Sequence, residues 1–276
     1  MVSRSLIKLS NSLNKASYTL SIPEKRLVML AISRLDRESD TCMISVTASD
    51  FANCFSLNRD GVYRTLKSAS EKLWARTLVT EDGTKYRWII TSKYNDGGAV
   101  ELEFHPKLKP HLLQLKDNFT QYFLHRAADF KLMYTWRLFE LLMQFRTTGM
   151  LVIDLEDLKT ALDIPNTYNR DFGKIREKVI DPAITEILEK DGLKVTWNTI
   201  KTGRKVTGLS FKFPIEQQIT LPLEKKAKIS PKEAKLQKDA KPSTSQKNAE
   251  KNGFASLEEL AKQYGVDDLL KAKKMN

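Results

Sequence analysis

Two stretches of this chain, residues 44–57 (ISVTASDFANCFSL) and 151–164 (LVIDLEDLKTALDI), align without a gap at a spacing of 107 residues. Ile44 matches Leu151, Val46 matches Ile153, Asp50 matches Asp157 and Phe51 matches Leu158; Phe55 and Leu57 match Leu162 and Ile164. Each copy alternates briefly like a strand, meets a polar cap at Thr47 or Asp154, and goes on with helical spacing. Such self-similarity constrains the fold more than composition does, because both copies must solve the same packing problem.

The flanks repeat as well. An apolar-striped helix is expected before each copy, over 23–35 (PEKRLVMLAISRL) and 131–146 (KLMYTWRLFELLMQFR). After each copy come a short turn and a second helix, over 58–74 and 168–180. Two alternating strands around a polar tip follow, WIITSKY–NDGG–AVELEF in the first half and LKVTWNTI–KTGR–KVTGLSF in the second. Helix, strand, helix, turn, helix, hairpin is the order of a winged helix-turn-helix. The expected fold is therefore α+β: two tandem winged helix-turn-helix domains related by an internal pseudo-repeat, at 1–118 and 119–221. Residues 222–276 form an appendage. From Pro222 to Asn252 it carries nine lysines and four acids with few large apolar residues, so it is expected to be disordered. Ser256 and Glu259 then make a capping box, the start of a candidate short terminal helix.

A helix-turn-helix lays its second helix in the major groove, so the exposed face of that helix carries the chemistry. On a wheel of about 100° per residue with Arg170 at zero, Phe172, Ile175 and Val179 fall at about 140–200°, a buried stripe. Arg170, Lys174 and Lys178 fall at about 0–80°, on the other side. They span about 12 Å, enough to follow a few base pairs. Tyr168 and Asn169 precede them. In the first copy Val62, Leu66, Ala69 and Leu73 share one face, and Arg64, Lys67 and Ser68 lie on the other with Tyr63 at the edge and Arg59 in the turn. Glu71 dilutes that cationic surface. At the second wing tip Lys201, Arg204 and Lys205 are candidates for phosphate, contacts that set register and salt dependence rather than sequence choice. The first tip, NDGG, carries no cation.

Charge agrees with a polyanionic partner: of the net +12, about +7 belongs to residues 1–221 (12 − 5 for the Lys-rich segment). No stretch approaches the roughly 20 apolar residues of a membrane span, and no apolar run of signal-peptide length opens the chain, so a cytoplasmic location and no membrane partner are expected. Cys42 and Cys54 are too few for a disulfide scaffold, and Cys54 aligns with Ala161, a small packed position. No phosphate-binding Gly-rich Lys loop is present, and His105, His111 and His125 lack metal-ligand spacing. Glu101 and Glu103 alternate on a strand and read as a solvent face. Neither an enzyme, nor a metal, nor a cofactor is expected.

With the repeats laid out, the chain resembles the plasmid replication initiators that bind repeated origin sequences. The resemblance rests on NSLNKASYTLSIPEKRLVMLAI, FHPKLKPHLLQLKDNFTQY, WRLFELLMQF and FGKIREKVIDPAITEI, covering roughly residues 5–215. It implies two winged-helix domains that bind one origin repeat as a monomer. It implies a dimer, joined through the first domain, that binds an inverted operator and represses the protein's own gene. It also implies recruitment of the host's initiator ATPase and replicative helicase. The family often carries several arginines after the D-F pair, where Gly173, Lys174 and Ile175 stand here. Lysine lacks the bidentate fork that reads guanine, so base reading falls to Arg170 and Arg176. The runner-up is a plain winged-helix transcriptional regulator with an inverted-repeat operator and no role in replication.

Pro182 sits inside the second recognition segment. Past it, Ile180, Ala183, Ile184, Ile187 and Leu188 centre near about 290° on the same wheel, not near 170°. The expectation is that the helix kinks or ends near Ile180, with Asp181 capping a second segment and Pro182 in its first turn.

Overall fold

The computed structural model describes residues 5–36, 41–80, 82–95, 97–113, 119–168 and 171–216. All fall in one compact unit, Met1–Gln217. The expected disordered tail and terminal helix lie outside the described residues, as do Asn169 and Arg170.

The chain opens with β1 (Leu6–Ser10), α1 (Asn11–Lys15) and β2 (Ser17–Tyr18). The first winged helix follows: α2 (Ile22–Ile32), β3 (Met43–Thr47), α3 (Ala48–Cys54) and α4 (Val62–Ala75). It continues through β4 (Thr77–Val79) and β5 (Lys85–Arg87) to the hairpin β6 (Ile89–Asn95) and β7 (Ala99–Phe104). After α5 (Lys109–Leu112) and β8 (Phe119–Phe123) comes the second: α6 (Met133–Gln144), β9 (Met150–Asp154) and α7 (Leu155–Leu162). It ends with α8 (Phe172–Ile175), a π-wound turn over Arg176–Ile180, α9 (Asp181–Asp191), β10 (Thr196–Thr202) and β11 (Lys205–Lys212).

The two copies share one topology. Each hairpin forms a three-stranded sheet with the strand from the repeat, in the orders β3-β7-β6 and β9-β11-β10. Beneath this the pseudo-repeat holds at the level of single torsions. Strands 43–47 and 150–154 and the helix starts at 48 and 155 keep the 107-residue offset. Beyond each helix a non-glycine residue takes the left-handed conformation, Ser56 (φ 49°) and Asp163 (φ 53°), again at the same offset. The next amide reaches back five residues in both copies, Leu57 to the Ala52 carbonyl (3.0 Å) and Ile164 to that of Lys159 (2.9 Å). This bond pattern satisfies carbonyls left open at a helix end, and it turns the chain toward the recognition helix.

Of two smaller sheets among the described residues, one ties the halves together and the other lies within the first. β1 pairs with β8, Leu6 opposite Phe123 through Ser10 opposite Phe119, and β2-β4-β5 forms the other. The core lies around α2 and α6. In α2 every residue from Leu27 to Ile32 is buried, and in α6 every residue from Thr135 to Met143. A helix apolar on all sides belongs in an interior. Charged residues on such helices are buried with them and need partners. Glu24 of α2 accepts from the Ser21 amide in a capping box and pairs with Arg76 (3.1 Å). Lys25 and Glu140 pair across the two halves at 2.8 Å with side chains 0% and 2% exposed. Burial pulls Lys25 toward neutrality, but the Glu140 carboxylate and Tyr18 together hold it above the usual lysine range.

The recognition segment around Pro182 meets the expectation in part: Pro182 stands in the first turn of the α segment that starts at Asp181. The helix neither ends nor gains a cap at Asp181, whose torsions (φ −61°, ψ −45°) are helical. The winding changes instead: the Asp181 amide donates to the carbonyl of Arg176, five residues back, and the α pattern resumes with Pro182 in its first turn. Proline cannot donate to the carbonyl four residues back and its ring clashes there, so a wider turn accommodates it without breaking the helix. The same turn resolves the phase problem. Ile175, Val179, Ala183 and Ile187 are each 0% exposed at four-residue intervals. On an α-helix that spacing drifts by about 40° per step, and slower winding takes back part of the drift. Leu188, grouped with Ile180, Ala183, Ile184 and Ile187 on the wheel, is 48% exposed.

Candidate nucleic-acid interface

In the second copy the recognition helix begins at Asp171, which lies in extended torsions and accepts from the Gly173 amide at 2.8 Å, an N-cap in the favoured geometry. With Ile175, Val179 and Ile180 pinned inward, Lys174, Arg176, Glu177 and Lys178 are exposed. Lys174 and Lys178 stand one turn apart. Lys178 meets Glu177 at 2.7 Å, and this neighbour raises its pKa. Arg176 donates through Nε to Asp181 (3.1 Å) and lies over the Trp197 ring of β10, 5.8 Å from its centre. Phe172 meets the same ring edge-on at 6.3 Å. The start of the recognition helix is thus joined to the base of the wing, with Arg176 engaged in that joint. Tyr168 is half-buried and within electrostatic reach of Lys178 and Tyr134.

The wing of this copy projects. Gly208 pairs with Asp154 at the end of β9, and pairing of β10 with β11 continues through Lys201–Val206 to Thr202–Lys205. The turn between them is Gly203 and Arg204, with Gly203 at φ +61°. Lys201, Arg204 and Lys205 are all exposed on this extension.

The first copy has no such extension. Ala99 pairs with Thr47, the counterpart of Gly208 with Asp154, and the turn follows at once. Gly98 donates to Asn95 (2.9 Å), and its carbonyl accepts from the Ala48 amide (2.8 Å), tying the tip to the start of α3. A Cβ at Gly98 would meet the Tyr63 ring at 2.1 Å, so the blunt tip and the first turn of α4 are in close contact. Tyr63 is nonetheless 56% exposed. Arg59 and Tyr63 line one depression with Ala48, Ser49 and Ala52. Arg64 and Ser68 line another with Ser21, Pro23 and Lys72. Lys67 lies 5.5 Å from the centre of the Tyr94 ring on the hairpin. Its candidates are therefore spread around α4 rather than aligned along one edge.

Elsewhere the chemistry is local. Cys54 is buried, and burial pushes its thiol up to about 11. Among the described residues no group of three His, Cys, Asp or Glu could hold a metal ion, and no helix is long and apolar enough to cross a membrane. His111 is near Ser12 (3.0 Å), His105 accepts from the Lys107 amide and His125 stacks on Phe123. The sequence reading missed the Lys25–Glu140 pair. Its signal was present: a lysine in PEKRLVMLAI and a glutamate in WRLFELLMQF, on helices with no solvent face to carry a charge.

Two family models match the chain, one described as initiator replication protein, WH1, over residues 6–143, the other as initiator Rep protein, WH2, over residues 154–213. An uncharacterized 27.6 kDa protein of Escherichia coli is 25% identical over 217 residues, covering 72% of this chain and 91% of that protein. A replication initiation protein of Escherichia coli is 24% identical over 232 residues, covering 78% of this chain and 71% of that one. The crystal structure of Pi initiator protein in complex with iteron DNA matches in fold, with a TM-score of 0.66 at 22% identity, over 78% of this chain and 99% of that chain.

Proposed function

We infer the function of a chain that belongs to the initiator replication protein family: it initiates plasmid replication by binding repeated origin sequences through its two winged helices. The observation that carries this reading is the second copy, whose cationic helix face and projecting cationic wing stand on one sheet-and-helix frame. Lys174 and Lys178 contact phosphates along the groove, and Lys201, Arg204 and Lys205 clamp the backbone beside it. Arg170 and Asn169 read bases with Tyr168 beside them, and Arg176 reads a base on leaving Asp181. In the first copy Arg59, Tyr63, Arg64, Lys67 and Ser68 contribute a weaker surface. On this reading a monomer binds one repeat, residues 1–118 also form a dimer that represses the gene, and the bound complex recruits the host initiator ATPase and helicase. No step calls for catalysis or a cofactor.

The test begins with the DNA beside the gene, where direct repeats of about two helical turns each are expected. Duplexes carrying one repeat should bind the full chain, and a plasmid lacking the gene should replicate only when the protein is supplied in trans. Replication without the protein, together with binding to a lone palindrome, would instead identify a transcriptional regulator. Replacing Lys201, Arg204 and Lys205 by alanine should lower specific and non-specific affinity alike and reduce the slope of log affinity against log salt by about 2–3. An unchanged slope removes the wing from the interface.

A further inference from the structure

The two winged helices are joined by a buried network that the DNA surfaces leave unused. Glu140 of α6 accepts from Lys25 of α2 on one oxygen and from the Tyr122 hydroxyl on the other, each at 2.8 Å. Trp136 donates its indole N–H to Tyr122 (3.1 Å), and Lys25 also donates to Tyr18 (3.0 Å). One residue along α6, Arg137 donates to the carbonyls of Tyr18 (2.7 Å) and Ala16 (2.6 Å) and lies 3.9 Å from the centre of the Tyr18 ring. Lys25, Tyr122 and Trp136 are fully buried, and Glu140 and Arg137 nearly so.

We propose that this network sets the distance and rotation between the two DNA-contacting helices, and so dictates the gap between the two halves of the sequence that the chain accepts. The inference rests on the function proposed above. Apolar packing is non-directional, so an all-apolar joint tolerates small rotations and slips. Here α2 and α6 are the first helices of their respective winged helices, and any slip strips a buried charge of its partner. That penalty confines the joint to one arrangement. DNA amplifies the consequence. Two extra base pairs between half-sites turn the second by about 70° and move it by about 7 Å, beyond what a fixed joint can follow. Lys25, Glu140, Tyr122 and Arg137 are thus positioning residues for recognition, acting through the frame and touching no DNA.

The experiment uses the full chain and sites enriched from a pool of random-sequence duplexes. Wild-type protein should enrich two sequence blocks at a single gap and lose about 30-fold or more in affinity when two base pairs are inserted between them. Removing one charge alone strands the other, so the informative variant is Lys25→Met/Glu140→Leu, which substitutes apolar side chains of similar size. It should bind the parent site within about threefold of wild type yet lose less than about fivefold on insertion. Tyr122→Phe removes two bonds of the network, the one to Glu140 and the one from Trp136, and keeps the ring; it should show a smaller insertion penalty than wild type, and it decides the matter if the double variant fails to fold. An insertion penalty equal to wild type in the folded variants would overturn the proposal, leaving the network a packing feature. If wild-type protein enriches no two-block site, the functional reading itself fails, a result distinct from failure of the joint.

Discussion

The two winged helices share strand, cap, helix and left-handed turn at one fixed offset, yet they end differently. Past the Ile200–Gly208 pair the second hairpin runs two residues farther on β10 and three on β11, across a register shift, and carries Lys201, Arg204 and Lys205 out on that extension. The first stops beside Ala99, and its tip is held between the Ala48 amide and the Tyr63 ring. The frames are equivalent, but the reach is not. A winged helix gains backbone contacts by extending a hairpin, whereas a blunt hairpin leaves the helix as its main contact. The recognition helices differ in the same sense. The second is capped by Asp171 and anchored to its wing through Phe172, Arg176 and Trp197, while the first starts from Gly61 at φ +80° and spreads its cations over separate depressions.

This contrast is open to direct attack. Lys174→Ala/Lys178→Ala should weaken binding to the specific site by about 1–3 kcal/mol, and Arg64→Ala/Lys67→Ala by less than about 1 kcal/mol. Anisotropy titrations at fixed salt measure both; equal losses would erase the ranking of the two surfaces. The two tip glycines sharpen it further. Gly98 and Gly203 both have positive φ, but only Gly98 is crowded. Gly98→Ala should therefore destabilise the fold by about 1–3 kcal/mol and displace Tyr63, while Gly203→Ala should cost about 1 kcal/mol or less. Urea unfolding separates the two, and similar values would mean that the blunt tip is not locked.

The smallest effect concerns Cys54, whose counterpart is Ala161. Cys54→Ala makes the first copy resemble the second at that position and should cost no more than about 1 kcal/mol. The thiol's folded pKa of about 11 lies above that of an exposed thiol. The folded protein should therefore resist alkylation at pH 8 while the denatured chain reacts readily. In linkage terms, stability from this group is full below the unfolded thiol pKa and is lost as pH rises from there toward 11. Rapid labelling of native protein would show that the α3 site opens.

Much of this architecture was legible because the constraints are local. Alternation in ISV and LVI, caps at Thr47 and Asp154, and apolar spacing in the helices are read within a few residues. The offset carried that reading from one half to the other. Ser56 and Asp163 escaped notice because neither is glycine; only the helix-end bonds around them call for a positive φ. The candidate cations at 174, 176 and 178 were identifiable as residue types. That Arg176 faces Asp181 and Trp197 depends on a strand some twenty residues away.

By itself the sequence determined that the chain folds as two copies of one helix–strand–helix–helix–hairpin unit, since periodicity, caps and turns act over a single element. It also showed that the apolar phase changes near Pro182. Only the tertiary structure decided how: the helix continues through a wider turn because both ends of the stripe, Ile175 and Ile187, must face the same core. It likewise decided that Lys25 and Glu140, 115 residues apart, meet in the interior. A buried charge selects its partner by geometry across the whole molecule, and no local pattern encodes that choice.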